Sequence, residues 1–494
     1  MKRSPTPFLV IAALLAGCDR GDAPALTALP SARALAAAGF VTSEAPQARA
    51  ALPGATVTPI ITTGDRLPSG YVFAPIPDGL GAYPDGQDLI VYANHELTAG
   101  GVRDETGGAQ FRNARVSRLV IDRASLAVKD ATYVLDGSEQ YVRLCSATWV
   151  GAAEGFPSGF FLTGEESSGG AHDGIQLAIG KDGQRHELPW LGRYAHENLI
   201  GIPGFPRKVV LAGFDDTAGR SELYLYVAGS EADVLAGTGT LYVFVSSQAT
   251  HSGFLVEGQT ITGRFVEVPN AAPLSSGQLQ TVVNGLGAFP FVRLEDGDYD
   301  HRSAKRGDGN DDDRASDDDD QRGNGRRPAI YFVDTGSEGV LCGAAACDPH
   351  GSIYRMDFDR NDPTAGARLT LLQRSRGADL DWASPDNIAS GKHSLMLMED
   401  PAYGGFARAP RIWNFRTTAT GRLVGRGRTV VEVTNPECVE ALGTCWESSG
   451  IIDASAWLGA GTWLFDIQAH TLPVASLGLL NEGGQLLALR LPGS

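Results

Sequence analysis

The sequence has few basic residues for its length. Its 494 residues include 41 Lys and Arg against 58 Asp and Glu, so the formal net charge is −17. Since nucleic-acid binding depends on basic side chains that contact phosphates, this charge argues against nucleic acid as a partner. Helical periodicity is also missing outside an Ala-rich N-terminal segment. With 43% hydrophobic residues and 62 glycines, the chain is typical of many short strands joined by tight turns, and we predict an all-β fold.

The N-terminal hydrophobic run is too short to cross a bilayer. It spans residues 8–15 and follows two basic residues, a pattern typical of an export signal. The sequence Leu15-Ala16-Gly17-Cys18 resembles a bacterial lipobox, which implies cleavage before Cys18 and lipidation of its thiol. An ordinary signal peptide cut nearby is the alternative. We expect a signal peptide over residues 1–17, a lipidated cysteine and flexible tether over residues 18–50, and an exported protein anchored to a membrane, facing the periplasm or the cell surface.

Cysteines are scarce, and one of the six has no obvious partner. Besides Cys18, two close pairs, Cys342 with Cys347 and Cys438 with Cys445, are expected to form local disulfides in an oxidising compartment. Cys145 remains alone. A leftover thiol in an exported protein is either buried and inert or used as a ligand or nucleophile, and the cysteine pattern leaves both readings open.

Six short apolar strands each end in a carboxylate and are followed by a second strand. The six acids are Glu96, Glu165, Asp216, Asp334, Glu399 and Asp466. A repeated strand-end acid favours a β-propeller of about six blades, in which strands line an axial channel and their ends converge. The repeat is longer than an ordinary blade, so we expect long loop insertions within one catalytic domain over residues 51–494, including an acidic disordered insertion at 306–327. A β-sandwich is the alternative, but it predicts no repeated acid.

Clusters of acids and amides near these strand ends are the candidate metal ligands. Carboxylate and amide oxygens bind hard cations such as calcium, and clusters at recurring positions indicate a metal centre built from several carboxylates. The candidates are Asp78, Asn94, Glu96, Glu165, Glu166, Glu197, Asp215, Asp216, Asp386, Asn387 and Glu399.

The motifs resemble, in order, those of the PhoX-type alkaline phosphatases, exported bacterial enzymes that hydrolyse phosphate monoesters. They are Asp78 to Gly81, Asn94 to Glu96, Ala114 to Arg118, Cys145, Leu162 to Glu166, Gly192 to Glu197, Asp215-Asp216 and Pro385 to Asn387. The resemblance implies a propeller with a mixed ferric iron and calcium cluster, and a cysteine thiolate on iron, which assigns Cys145 as a ligand. Thiolate suits iron and oxygen ligands suit calcium. The chain departs from the family at Gly164, where the family typically has cysteine.

The expected function is therefore hydrolysis of a small phosphorylated substrate by a monomeric enzyme. The metals would supply Lewis-acid polarisation and the nucleophile, and Arg118 is expected to hold the phosphate charge. Two alternatives remain open. One is a calcium-dependent lactonase or esterase propeller, which needs no cysteine. The other is a non-catalytic surface binding propeller whose acids hold structural calcium.

Overall fold

The computed structural model describes residues 39–217, 219–302, 327–342, 345–401 and 405–493. The expected signal peptide, Cys18, most of the tether and most of the acidic insertion lie outside these ranges, as does the side chain of Cys342. Export, lipidation and the Cys342–Cys347 disulfide therefore stay predictions. Within the described ranges, no helix is both long and apolar enough to pass through a membrane.

The prediction of an all-β fold is confirmed, since nearly all regular structure is strand. In the first half these are β1 (Ala48–Ala50), β2 (Thr56–Thr62), β3 (Pro77–Asp85), β4 (Asp88–His95), β5 (Val102–Arg103), β6 (Ala109–Gln110), β7 (Arg115–Asp122), β8 (Val128–Leu135), β9 (Leu144–Val150), β10 (Phe160–Glu165), β11 (Gln176–Gly180), β12 (Arg185–Glu187), β13 (His196–Gly201), β14 (Val209–Asp215), β15 (Leu223–Ala228), β16 (Thr240–Val245) and β17 (Thr260–Glu267).

The second half continues in the same way. Its strands are β18 (Leu294–Tyr299), β19 (Ala329–Asp334), β20 (Ser337–Cys342), β21 (Ala345–Asp348), β22 (Ser352–Phe358), β23 (Ala367–Arg374), β24 (Pro385–Ser390), β25 (Ser394–Glu399), β26 (Arg411–Thr417), β27 (Leu423–Val433), β28 (Glu447–Asp453), β29 (Thr462–Ala469) and β30 (Gly483–Arg490). The described α-helices are α1 (Glu231–Ala236), α2 (Ser276–Leu286) and α3 (Ser455–Leu458).

The strands form antiparallel sheets around a central axis. The sheet orders are β3-β4-β7-β8, β12-β11-β10-β9, β13-β14-β15-β16-β17-β23-β22-β19-β18, β1-β27-β26-β25-β24 and β2-β30-β29-β28, with two small hairpins, β5-β6 and β20-β21. The inner strands β3, β9, β13, β18, β24 and β28 contact one another in that order, and β28 contacts β3 again. The arrangement is propeller-like, and its inner strands line the axis.

The number of separate sheets differs from the expected six blades. Four sheets of four or five strands stand alone, and the fifth is a continuous sheet of nine strands. The reason is at the periphery, where β17 pairs with β16 on one side and with β23 on the other, so that two groups of strands share one ladder. A propeller blade usually ends in an outer strand with an unpaired edge. Here the outer strands β17 and β23 pair with each other, so that their backbone groups form hydrogen bonds across the two blades.

Apolar side chains fill the space between neighbouring sheets. Strands such as β14 and β19 are buried at every position, because sheets pack against both of their faces. The largest described cluster contains Phe214, Phe291 and Phe332. The ring centroid of Phe332 lies 5.8 Å from that of Phe214 and 5.7 Å from that of Phe291. This packing fixes the inner strands relative to one another.

The N-terminal segment is tied into the sheets. β2 pairs with β30 and completes the last sheet, while β1 pairs with β27 at an edge. Phe40 also bridges to Val128. Ordered structure thus includes residues 39–50, which lie before the expected boundary at residue 51. At the other end of the chain, the expected disulfide between Cys438 and Cys445 is confirmed.

Replacing Ile61 in β2 by alanine should destabilise the whole propeller, because the fully buried side chain helps to close the ring of sheets. We expect the free energy of unfolding to fall by about 2–5 kcal/mol, as for other buried isoleucines. Urea denaturation measures this change. Val41→Ala is the matched control, since its side chain is 61% exposed and its loss should change stability by less than about 0.5 kcal/mol. Equal effects of the two substitutions would contradict this role of β2.

Candidate metal centre

Five of the six inner strands place a possible metal ligand at their second residue. The residues are Asp78 in β3, Cys145 in β9, Glu197 in β13, Glu295 in β18 and Asp386 in β24, and all five are buried. Since side chains alternate along a strand, equivalent positions in a ring of strands point to the same place on the axis. In the sixth inner strand, Ser449 donates a hydrogen bond to Asp78 at 2.8 Å. The ligand-type side chains therefore converge at one end of the channel.

The ligand atoms form three overlapping groups, in each of which they lie within 4.8 Å of one another. The groups are Asp78, Glu96 and Cys145; Cys145, Glu166 and Glu197; and Glu197, Glu295 and Asp386. Cys145 and Glu197 each belong to two groups, so the three groups form one continuous row. The thiol of Cys145 lies 3.3 Å from Asp78 Oδ2 and 3.4 Å from Glu197 Oε1.

Second strands add to this row, as the repeated strand-end acids predicted. Glu96 directly follows β4 and Glu166 directly follows β10. Each second strand pairs with the inner strand of its own sheet, which brings its last residues beside the second residue of that strand. A close approach of β3 to β9 helps, since a Cβ at Gly79 would lie 2.4 Å from the backbone oxygen of Cys145.

Two arginines border the row of acids. Arg143 lies 3.0 Å from Glu96 and also pairs with Glu166, while Arg293 lies 2.7 Å from Asp216 and 3.3 Å from Glu295. Arg143 lies two residues before Cys145, and Arg293 lies two residues before Glu295. Each guanidinium therefore points to the same side of the chain as the ligand that follows it. The Arg143 side chain is 41% exposed, and it can reach an incoming ligand as well as its carboxylate partners.

Burial of so many acids shifts their protonation. Burial and the charge of Glu96 raise the pKa of Asp78 to about 7. Burial likewise raises the pKa of Glu166 and of Glu295 to about 7, although the neighbouring arginines oppose the shift. Burial, Asp78 and Glu197 hold the pKa of the Cys145 thiol well above its usual range. Without cations the cluster must therefore retain protons, and a bound cation would replace them.

The donor set fits iron and calcium. It combines one thiol, which as a thiolate suits iron, with carboxylates that suit calcium. Buried oxygen atoms without hydrogen-bond partners lie next to it, namely both carboxylate oxygens of Asp466 and Oε1 of Gln468. Gln468 itself donates to Asp78 at 2.9 Å and to Glu96 at 3.3 Å. An unpaired buried oxygen is costly, and cations or water bound among these groups would satisfy it.

The structure brings together half of the predicted ligands. Those within the three groups are Asp78, Glu96, Cys145, Glu166, Glu197 and Asp386. Asp216 lies at the border, held by Arg293, which also contacts Glu295. Asn94 supports the row indirectly, since its amide donates to the backbone oxygen of Cys145 at 2.6 Å. Asn387 is buried, and its Oδ1 accepts from Ser449 at 3.3 Å.

Other predicted ligands lie outside the groups because local partners hold them. Glu165 accepts the backbone N–H groups of Val142 and Gly174, at 2.9 and 3.3 Å. Asp215 accepts both the backbone N–H and the hydroxyl of Thr217. Glu399 receives two hydrogen bonds from Arg408, at 2.7 and 2.8 Å, and another from Trp413.

Arg118 does not lie with the carboxylates. It sits in the middle of β7, where its guanidinium interacts with the phenols of Tyr83 and Tyr92. The two arginines at the cluster are Arg143 and Arg293, neither of which the sequence interpretation selected.

Glu295 is the main ligand candidate that sequence reasoning missed. It begins β18 as Leu294-Glu295-Asp296-Gly297, just as Pro77-Asp78-Gly79 begins β3, with the acid at the second position. Asp334, the strand-end acid beside it, instead accepts the backbone N–H groups of Val292 and Arg293, both at 3.0 Å, and so positions the Arg293 segment.

Comparisons with known proteins support the fold. No protein-family model and no curated protein matches the chain. Among solved structures, it is similar to Pseudomonas fluorescens PhoX in complex with vanadate, a transition state analogue, with a TM-score of 0.58 and 15% identity over 92% of this chain and 98% of that chain. Two further matches are too weak to carry an argument. One is a thermostable family-43 glycoside hydrolase, with a TM-score of 0.31 and 10% identity over 85% of this chain and 93% of that chain. The other is the GH43_1 enzyme from Xanthomonas citri, with a TM-score of 0.33 and 12% identity over 88% of this chain and 89% of that chain. At 15% identity, the likeness to PhoX shows a shared fold.

Metal removal should make the stability of the protein fall with rising pH. Carboxyl groups such as Asp78, Glu166 and Glu295 have a pKa of about 7 in the folded protein, above their ordinary values. Their protonated forms stabilise the fold at low pH, and this contribution is lost as the pH rises through about 7. Calorimetry of chelator-treated protein should show Tm falling between pH 5 and pH 8, and added iron and calcium should restore it at pH 8.

The variant Glu166→Gln serves as the control, because an uncharged amide at this position cannot lose a proton. Its metal-free Tm should fall less steeply with pH than that of the unmodified protein. A Tm that rises over this pH range after chelation would contradict the electrostatic account.

Proposed function

We propose that the protein is a metal-dependent hydrolase of phosphate monoesters. The observation that carries the proposal is the row of six carboxylates and one thiol at the end of the channel, bordered by Arg143 and Arg293. Carboxylates alone would repel an anionic substrate, whereas a row of bound cations beside two arginines attracts one. The geometry therefore suits a small, strongly anionic group such as a phosphoryl group.

Different residues of the row would bind the two kinds of metal. Cys145 is shared by the group with Asp78 and Glu96 and the group with Glu166 and Glu197, so iron would be held beside its thiol. Glu197, Glu295 and Asp386 form the all-oxygen group that would hold calcium. When bound, such metals supply Lewis-acid polarisation of the phosphoryl oxygens. Asn94 and Gln468 orient the ligands Cys145, Asp78 and Glu96 through hydrogen bonds.

The arginines position the substrate. The guanidinium groups of Arg143 and Arg293 can donate two parallel hydrogen bonds to phosphate oxygens. Each arginine pairs with two carboxylates. Arg143 pairs with Glu96 and Glu166. Arg293 pairs with Asp216 and Glu295. Cations bound by those carboxylates would compete for the same oxygens, which would release the guanidinium groups for the substrate.

The fold comparison supports the same conclusion. The PhoX structure to which the chain is similar holds vanadate, a transition state analogue. The ordered motifs also resemble that phosphatase family. As part of the proposal, the protein is exported and held to a membrane through a lipid at Cys18, so that it would act on phosphorylated molecules outside the cytoplasm.

Substituting Cys145 by serine should remove iron and abolish phosphatase activity. A hydroxyl is a poorer iron ligand than a thiolate, so we expect turnover of p-nitrophenyl phosphate to fall by about 100-fold or more. The measurements are the steady-state rate and the iron content of the purified variant, with circular dichroism to confirm folding.

Two outcomes would point elsewhere. Full phosphatase activity in Cys145→Ser would contradict the role of the thiol. Lactone hydrolysis that depends on calcium and survives the substitution would favour the lactonase alternative. If no metal supply gives turnover even in the unmodified protein, the non-catalytic binding propeller becomes the better account.

Replacing Arg143 by glutamine should weaken substrate binding while the metals remain. Loss of a charged hydrogen-bond donor should raise KM for p-nitrophenyl phosphate by about tenfold, and iron and calcium contents should stay unchanged because the carboxylates lose only a cationic neighbour. Arg118→Gln is the matched control, since Arg118 lies beside Tyr83 and Tyr92. A larger increase in KM for Arg118→Gln than for Arg143→Gln would indicate that Arg118, the residue predicted from the sequence, binds the substrate.

A further inference from the structure

The channel contains a cavity at the end opposite the metal centre. The metal ligands are the second residues of the inner strands, whereas the cavity is lined by later residues of all six, such as Gly81, Trp149, Asn198, Asp298, Ala389 and Ile452. Its volume is about 360 Å³, enough for a small organic molecule. Asp296 and Asn198, which hydrogen-bond to each other, are part of its wall next to the metal-centre residues Glu295 and Glu197.

The walls of this cavity are strongly acidic. Glu154, Asp296, Asp298 and Asp453 line it, and His301 is the one titratable nitrogen base among its described lining residues. Neither lysine nor arginine is found in that lining. The cavity therefore disfavours phosphate and other anions, in contrast to the arginine-bordered metal end.

The same walls are poorly suited to a metal ion. Within the described part of the chain, the groups whose ligand atoms lie within 4.8 Å of one another all belong to the metal centre. The carboxylates of Glu154, Asp298 and Asp453 are too widely spaced to form such a group. A cation that touches all three of them must therefore be larger than a bare ion.

Aromatic rings complete the lining. Tyr299 and Trp457 border the cavity, and the Tyr299 ring stacks on the imidazole of His301 with centroids 4.2 Å apart. His301 also lies 3.6 Å from Asp298 and is 37% exposed, so this end of the channel is reachable from solvent. Aromatic faces together with carboxylates are the surroundings in which proteins bind alkylammonium groups.

We propose that this cavity binds a small organic cation with a primary or quaternary ammonium group. The carboxylates of Glu154, Asp298 and Asp453 supply the charge, and the rings of Tyr299 and Trp457 contact the alkyl part of the ligand. The proposal does not depend on the phosphatase function, because the cavity lining includes none of the metal-centre residues.

Titration calorimetry of the whole protein with choline and with spermidine tests the proposal. We expect saturable binding of at least one of them, unchanged by saturating inorganic phosphate, and no binding of glucose, a neutral molecule of similar size. Asp453→Asn and Glu154→Gln should each weaken binding by about tenfold. Both amides keep an oxygen that can accept the backbone hydrogen bonds now made to Ser455 and Gly151, so folding should be preserved.

Asp130→Asn is the matched control, because Asp130 lies in β8, away from the inner strands, and should leave binding unchanged. Quenching of tryptophan fluorescence by the cation gives a second readout through Trp457. Absence of binding by both cations, binding that the Asp453 and Glu154 variants leave intact, or equal binding of glucose would each overturn the proposal.

Discussion

Repulsion among buried carboxylates is the constraint on which the rest of this structure depends. Asp78, Glu166, Glu197, Glu295 and Asp386 lie out of water at one end of the channel, close enough for their ligand atoms to share ions. Only a rigid ring of sheets can hold them there, because each acid would otherwise move toward solvent. Protons or cations must compensate their charge. The closed β-ring thus holds the acids together, and the proposed metal chemistry follows from their crowding.

The two ends of the channel have opposite electrostatic character with respect to ligands. At the end with the ligand groups, Arg143 and Arg293 accompany the acids, so this end would attract an anion once cations compensate the carboxylates. At the far end, His301 is the one titratable nitrogen base among the described residues that line the cavity with Glu154, Asp298 and Asp453, so an organic cation is favoured. Early and later residues of the same six inner strands form the two ends. A single fold can therefore present two chemically distinct sites without a second domain.

Much of the site could be predicted from the sequence, because strand-end acids recur at regular positions. That recurrence identified Glu96 and the pair Glu165-Glu166, of which Glu166 lies in the ligand groups, and it identified Asp216 at their border. The unpaired Cys145 was evident from counting cysteines. Glu295 was missed because its acid begins a strand, where turn chemistry is the usual explanation. Glu399 was predicted as a metal ligand but lies outside the ligand groups, and no sequence pattern reveals that Arg408 and Trp413 donate hydrogen bonds to its carboxylate. The joining of two groups of strands through β17 depends on edge pairing, which short-range patterns do not encode.

The metal content of the protein tests the central claim most directly. Elemental analysis should be made on protein purified from the compartment to which it is exported, so that the metals it acquires there are retained. The account predicts iron and calcium together, with iron lost when Cys145 is replaced. Calcium without iron in active protein would contradict it.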